Sequence, residues 1–246
     1  MATETRIADY LDFLGDLGAA NAPYFLEGGQ AVNFWAEYFS NKGAGEAIER
    51  YRPFTSKDCD LWVSFAALRH IESNARGGTL IKGTSPADGQ IGIFTLEGER
   101  PLRIDLMSNV YGIPQDKIPK VLERAIIIGG ISIIDPLSLF QSKCHCLLGL
   151  DQTGRQDEKH VAMLCQLLPE HFRDALEDTL SGLSTQRALI NELKFLKKIL
   201  KLQKVRQALQ NIGTDPATLF PAKQLRSCGL AAVEAFASSA FKKEAP

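Results

Sequence analysis

Apolar and polar positions change rhythm near Pro136. Upstream, short apolar runs alternate with segments of helical spacing; downstream, the spacing is helical almost throughout. Residues 5–17 have a helical pattern. "PYFLEGG" is a short apolar run ending in a glycine turn, and "QAVNFWAEYF" puts Val32, Trp35, Ala36 and Phe39 on one helical face. "KDCDLWV" reads as a strand, and "SFAALRHIES" as a helix capped by Ser64. "QIGIFTLE" and "LRIDLMS" alternate as strands do and are separated by the turn "EGERP". "AIIIGGISII" is two apolar runs around Gly129-Gly130, the pattern of a hairpin with a primed turn. These patterns predict an α/β (α+β) domain over residues 1–134, built on a mixed sheet of four to six strands. An all-helical domain over residues 135–246 is expected to follow it. There is no internal repeat and no low-complexity segment.

Composition narrows the class without naming a function. Apolar residues make up 45% of the 246 and charged residues 23%, the balance of an ordinary globule. The net charge of −1 gives no global attraction to nucleic acid or membrane, so either partner would need a local patch. The opening stretch carries acids early and has no unbroken apolar run, so it is not expected to act as a signal peptide. No run is long enough to predict a membrane span. The five cysteines are odd in number and irregularly spaced, which fits reduced thiols in the cytoplasm.

The chemistry concentrates in "FTSKDCDLWVS". Side chains alternate along a strand, so Asp58 and Asp60 are expected on one face, with Cys59, Leu61 and Val63 on the other. Two carboxylates about 7 Å apart on a strand repel each other when both are ionised. A divalent cation between them removes that repulsion, and oxygen ligands suit Mg²⁺ or Mn²⁺. In "PLRIDLMS", Leu102, Ile104 and Leu106 are expected toward the core, with Arg103, Asp105 and Met107 opposite. If that strand neighbours the first, Asp105 joins the pair. Three acids of this kind can hold one or two metals, orient a triphosphate and activate a hydroxyl nucleophile. Upstream, Gly28 and Gly29 join a strand to a helix, where backbone N–H groups and the helix dipole favour an anion.

Taken in order, strand–Gly-Gly–helix, Asp-x-Asp on a strand and a third strand acid resemble the nucleotidyltransferase superfamily typified by DNA polymerase β. "GGQAVNFW" with "TSKDCDLWV" looks most like the abortive-infection toxins of type IV toxin–antitoxin systems. The resemblance runs over about residues 23–165. It implies that Asp58, Asp60 and Asp105 hold Mg²⁺ or Mn²⁺ and that Asp105 helps deprotonate an acceptor hydroxyl. It also implies that Gly28 and Gly29 hold nucleotide phosphates. "PLSLFQSKCHCLLGL" and "RQDEKHVAML" are similar to the helical segments that follow such domains, which implies that Lys143 neutralises triphosphate charge and Asp157 positions it. Two departures stand out: Cys144 follows Lys143 where relatives carry Leu, and "NKGAGEAIERYRPF" lengthens the stretch between Gly29 and Asp58. The implied activity is transfer of a nucleoside monophosphate from an NTP to a hydroxyl of RNA, tRNA or protein, with an antitoxin as partner. The alternative is a catalytically silent relative that binds nucleotide or another protein.

Two other patterns carry less. "KCHC" offers Cys144, His145 and Cys146, but C-x-C within a helix sends its thiols about 200° apart, against a zinc site. The segment Arg187–Arg206 reads as one basic amphipathic helix, with an apolar stripe at Leu193, Leu196, Ile199 and Leu200. Lys194, Lys197, Lys198, Lys201 and Lys204 crowd its other side, either as a solvated face or as a surface for a polyanion.

Overall fold

The structure, a computed structural model, describes residues 4–42, 45–74, 77–83 and 89–240. It is a mixed α/β fold around one seven-stranded sheet. The strands are β1 (Tyr24–Glu27), β2 (Cys59–Val63), β3 (Gly78–Lys82), β4 (Gln90–Leu96), β5 (Leu102–Met107), β6 (Ile126–Ile128) and β7 (Ile131–Ile133). They lie in the order β3-β4-β5-β2-β1-β7-β6. β2 with β5 and β1 with β7 are parallel; the other neighbours are antiparallel.

Seven strands exceed the four to six expected. The extra one, β3, is an edge strand whose residues are exposed or half-buried on both faces, so "GTLIK" shows no contrast between core and solvent positions. The hairpin at Gly129-Gly130 is as its sequence predicts: both glycines have positive φ, 59° and 83°, which a primed turn requires. Ser64 caps the helix after β2, its hydroxyl accepting from the Ala67 amide at 3.1 Å.

Eleven α-helices surround the sheet among the described residues. Before β6 these are α1 (Leu11–Ala19), α2 (Gly28–Ser40), α3 (Gly45–Glu49), α4 (Phe65–Asn74) and α5 (Ile118–Arg124). After β7 come α6 (Pro136–Gly149), α7 (Asp157–Leu180), α8 (Gln186–Ile199), α9 (Gln203–Asn211), α10 (Ala222–Leu225) and α11 (Ala231–Ala240). The expected N-terminal helix is in part a 3-10 turn, Ile7–Tyr10, leading into α1. Of the lengthened stretch after Gly29, residues 43 and 44 lie outside the described residues. No helix of the described residues is long and apolar enough to cross a membrane.

The expected helix over 187–206 is two helices. Leu189, Leu193, Leu196 and Ile199 form the buried stripe of α8, whereas α9 buries Val205, Ala208 and Leu209. At 3.6 residues per turn the second set does not continue the first, so a straight helix could not bury both. The chain breaks at Leu202, whose backbone is extended. The break carries only Lys204 onto the second helix; Lys194, Lys197, Lys198 and Lys201 precede it at the spacing of one helical face. Lys197 donates to the Ala240 carbonyl at 3.4 Å and lies over the Phe236 ring, while Lys194, Lys198 and Lys201 are exposed.

The helical half is bonded to the sheet through the same core. α2 packs on β1 and β2, and α6 and α7 pack on α2. The Trp35 indole of α2 donates to the Ile134 carbonyl at 3.0 Å, and the Ile134 amide donates to Leu26 of β1 at 3.0 Å. One continuous apolar cluster runs from Ile7 to Ala237. α6 begins at a built cap. The buried carboxylate of Asp135 accepts from the amides of Leu137 (3.1 Å) and Ser138 (2.9 Å), Pro136 takes the first helical position, and Arg124 pairs with Asp135 at 3.3 Å.

This cap sets where α6 starts, and hence where Lys143 stands two turns later. Asp135→Ala is expected to lower stability by about 1–2 kcal/mol, because it removes the cap and strands a partly buried guanidinium. Asp135→Asn keeps an accepting oxygen for the amides and is expected to lose less. Urea unfolding of the two variants checks this; equal losses would show that charge, not the cap, is what α6 depends on.

Candidate functional site

Register brings acids together that the chain keeps far apart. Glu27 of β1 is paired with Asp60 of β2, and Asp60 with Asp105 of β5. Paired residues on neighbouring strands point to the same face, and strands lie about 4.8 Å apart, so three carboxyl groups form a row across the sheet centre. Asp58 is not on the strand, as the alternation predicts, but in the bend just before it. It nevertheless lines the same cleft as Asp60 and Asp105. That bend is fixed from behind. Ser56 exchanges backbone bonds with Thr5 (2.7 and 3.0 Å), and Gln30 of α2 donates to the Thr5 carbonyl and hydroxyl at 3.1 and 3.0 Å.

The cleft, about 210 Å³, lies between these acids and the helices after Pro136. Lys143 of α6 and Asp157 and His160 of α7 reach into it, as does Arg155 from the loop before α7. Gly29 lines it at the first turn of α2. Gly28 is required for two reasons. Its φ is +67°, and a Cβ there would lie 1.8 Å from Oδ2 of Asp60. The start of α2 is thus seated on the Asp60 carboxyl, and no side chain caps that helix. A Cβ on Gly29 would meet Ser56 Oγ at 2.6 Å and His160 Cε1 at 3.1 Å.

Charge divides the cleft into two systems. In the first, like charges crowd. Burial, then the charges of Asp58 and Asp105, push the Asp60 carboxyl up to about 7, against the opposing pull of Lys143 and Arg155. Burial and then Asp60 hold Glu27 well above the usual carboxylate range, and its Oε1 has no hydrogen-bond partner among the described residues. Asp105 is held by Arg103 from the same strand face, Nε to Oδ1 at 2.8 Å and Nη2 to Oδ2 at 3.2 Å.

In the second system, charges are matched. Asp157 accepts from the buried Lys143 ammonium at 3.1 Å and from Arg155 Nε at 2.5 Å. Burial works to raise Asp157, but Lys143 and Arg155 outweigh it and hold the carboxyl below its ordinary value. Burial works to lower Lys143, and the neighbouring Cys146, Asp157 and Asp60 outweigh it in turn. Beside them, burial and the Lys143 charge hold His160 neutral, well below the ordinary imidazole value. Both of its ring nitrogens are buried without a hydrogen-bond partner among the described residues.

All seven residues singled out from the chain sit at or against this one cleft: Asp58, Asp60, Asp105, Gly29, Lys143 and Asp157 line it, and Gly28 backs Asp60. The cysteines do not join them as ligands; Cys59, Cys144 and Cys165 are buried and free. Arg155, His160 and Glu27 are additions. Each lies next to a residue that was singled out, which is the one hint the chain gives: Arg155 two residues before Asp157, His160 on the next turn of the same helix, Glu27 directly before the glycines.

The donors suit a hard divalent cation, since all are carboxylate oxygens and their crowding is relieved by positive charge. Among the described residues, however, no three His, Cys, Asp or Glu side chains form a ready-made ligand group. The Arg103 guanidinium, half-exposed and spanning both Asp105 oxygens, stands where a cation would otherwise compensate that carboxylate.

A scan against protein-family models finds no match for this chain, and a comparison with curated proteins finds none either.

The two charge systems respond oppositely to neutralisation. Between about pH 4 and pH 7 the folded protein holds a proton on Asp60 that the unfolded chain has lost, so stability falls as pH rises through that window and stays reduced above it. With a chelator present, Asp60→Asn is therefore expected to be more stable than the parent at about pH 8, by a few kcal/mol in order of magnitude, with the difference vanishing near pH 4. Asp157 works the other way: its contribution is present above the ordinary carboxylate range and is lost as pH falls through its lowered value. Asp157→Asn leaves Lys143 buried without its counter-charge and is expected to cost about 3–5 kcal/mol at neutral pH. Thermal melts of the three proteins across this pH range test the assignment, and a destabilised Asp60→Asn would contradict it.

Proposed function

We propose that the chain is a metal-dependent nucleotidyltransferase, moving a nucleoside monophosphate from an NTP to a hydroxyl acceptor. The observation that carries this reading is the meeting, in one cleft, of two strand acids, a third acid from the bend before β2, a glycine-started helix and the basic side chains of Lys57, Lys143 and Arg155, drawn from both halves of the chain. Acids of this kind hold divalent metals, and basic side chains with helix amides hold the phosphates such metals bring.

In this reading Asp58, Asp60 and Asp105 hold Mg²⁺ or Mn²⁺, which would supply charge neutralisation of the triphosphate. Lys143 and Arg155 sit across the cleft from the acids and take up charge on the phosphate chain. Asp157 fixes both cations in position through its two oxygens. The acceptor oxygen bonds to the α-phosphorus, the bond to the oxygen bridging to the β-phosphate breaks, and pyrophosphate leaves. The acceptor's proton passes to Asp105, once Arg103 has swung away from it. On the family resemblance, the acceptor is RNA, tRNA or protein, and the chain acts as a toxin held in check by an antitoxin. The exposed Lys194, Lys198 and Lys201 offer a polyanionic acceptor a place to rest.

One observation favours the silent alternative, a nucleotide-binding relative without transfer: Arg103 already compensates Asp105. Both readings are separated by one experiment. Labelled NTPs with Mg²⁺ or Mn²⁺ are incubated with tRNA, total RNA and total protein. Metal-dependent label transfer is expected from the parent, with a loss of at least about 100-fold in Asp58→Asn and in Asp60→Asn, which lack an anionic metal ligand. Neither variant is expected to melt below the parent. Nucleotide binding without transfer to any acceptor would leave the silent relative in place of the enzyme.

A further inference from the structure

Polar groups without partners are the strongest unexplained feature of the cleft. His160 is 4% exposed, lines the cleft, and has no partner for either ring nitrogen among the described residues. A buried imidazole left so carries an unmet hydrogen-bonding cost. Its Cε1 lies 3.1 Å from where a Gly29 side chain would begin, so the ring stands beside the first turn of α2. That 13-residue helix has no side-chain cap, and its first amides point along the helix axis toward the same space. A neutral imidazole always has one N–H to donate. A helix start and an adjacent buried donor without a partner together describe an oxyanion subsite.

The rest of the lining says what the oxyanion belongs to. The described residues around the cleft include no Phe, Tyr or Trp and no aliphatic side chain: they are glycines, carboxylates, cations, Ser56, Gln156 and His160. A base needs a π-face or an apolar wall to rest on. At about 210 Å³ the space falls short of the usual 300–1,000 Å³ of a site that encloses a whole drug-sized ligand, yet a phosphate chain is smaller.

We infer that the cleft recognises the triphosphate chain and not the base, with His160 and the first amides of α2 forming the subsite for a phosphate oxygen. This rests on the nucleotidyltransferase reading for the identity of the ligand, but its test does not require transfer. The imidazole N–H donates to the phosphate oxygen, while Lys143 and Arg155 neutralise the chain from the neighbouring wall. Substrate choice among NTPs is then weak inside the cleft.

Calorimetric titration of the full chain, with Mg²⁺ present, tests this with inorganic triphosphate and with ATP, GTP, CTP and UTP. Inorganic triphosphate is expected to bind within about 3-fold of the four nucleotides, which differ little among themselves. His160→Met, which keeps bulk and removes the donor, is expected to weaken inorganic triphosphate at least about 10-fold, the effect of losing one hydrogen bond to a charged group. Its ligand-free melting temperature is expected to be unchanged or higher. His160→Gln, which retains an N–H, is expected to stay within about 3-fold of the parent. Binding of one nucleotide with no binding of inorganic triphosphate would overturn the inference. So would a His160→Met protein that binds as the parent does, or one that melts lower with affinity intact. If inorganic triphosphate binds through His160 but no acceptor is ever labelled, the inference stands and the transferase reading fails. If label is transferred and His160 is irrelevant to binding, the reverse holds.

Discussion

Glu27, Asp60 and Asp105 face one another across three adjacent strands, and the fold has to hold them there against their own repulsion. Sheet register leaves them no way apart: shifting β2 by one residue would carry Asp60 into the core and Leu61 out of it. The apolar side of β2, with Cys59, Leu61 and Val63 buried, therefore enforces the polar side. The sheet's central strands do not adapt to the acids. The acids adapt instead: Glu27 and Asp60 keep their protons to higher pH than ordinary carboxyl groups, and the Arg103 guanidinium pairs with Asp105. Gly28 belongs to the same constraint, because only a residue without a side chain can bring the start of α2 onto the Asp60 carboxyl.

Opposite that row, the helical half supplies charge of the other sign under stricter control. Lys143 is more buried than Glu27, Asp60 or Asp105, and its ammonium would be prohibitively placed without Asp157. Asp157 in turn has two cations, one buried on α6 and one on the loop before α7. Such a triad fixes the approach of α7 to α6, which is the same contact that closes the cleft over the sheet. Stability and site geometry are thus set by one ion cluster on one wall, while the other wall stays electrostatically strained.

How far the chain itself disclosed this arrangement follows from the range of each signal. Strand acids stand out because a carboxylate amid Leu61, Trp62 and Val63 breaks an apolar run, and the two-residue period fixes its face. That β2 and β5 are neighbours depends on topology, which no local pattern carries. Asp58 lies one residue outside the strand, so alternation assigned it to a face on grounds that do not apply to a bend, although the cleft still receives it. Arg155 precedes its helix in a loop, where no periodicity marks it. His160 and Glu27 look like ordinary members of a helix and a strand until their lack of partners is seen, and that is a property of packing. β3 escaped because an edge strand exposed on both faces has nothing to alternate. The break between α8 and α9 escaped because neither Gly nor Pro marks it; only the shift in phase between Ile199 and Val205 does.

The two walls of the cleft have opposite deficits, and this limits what can satisfy them. The acid row lacks positive charge; a bare cation would supply it, but would leave His160 and the first turn of α2 without an acceptor. A bare polyphosphate would meet those donors and the Lys143–Arg155 side, but would bring more negative charge toward Asp58, Asp60 and Asp105. A ligand carrying both signs, such as the proposed divalent metal with its phosphate chain, would answer both walls together. Each half then lowers the cost of admitting the other, which is a coupling free energy between metal and phosphate and acts equally in both directions. In the proposed reaction that coupling keeps the acids from being fully charged until the triphosphate arrives, so the same repulsion that costs the empty fold stability makes the loaded cleft selective for its ligand.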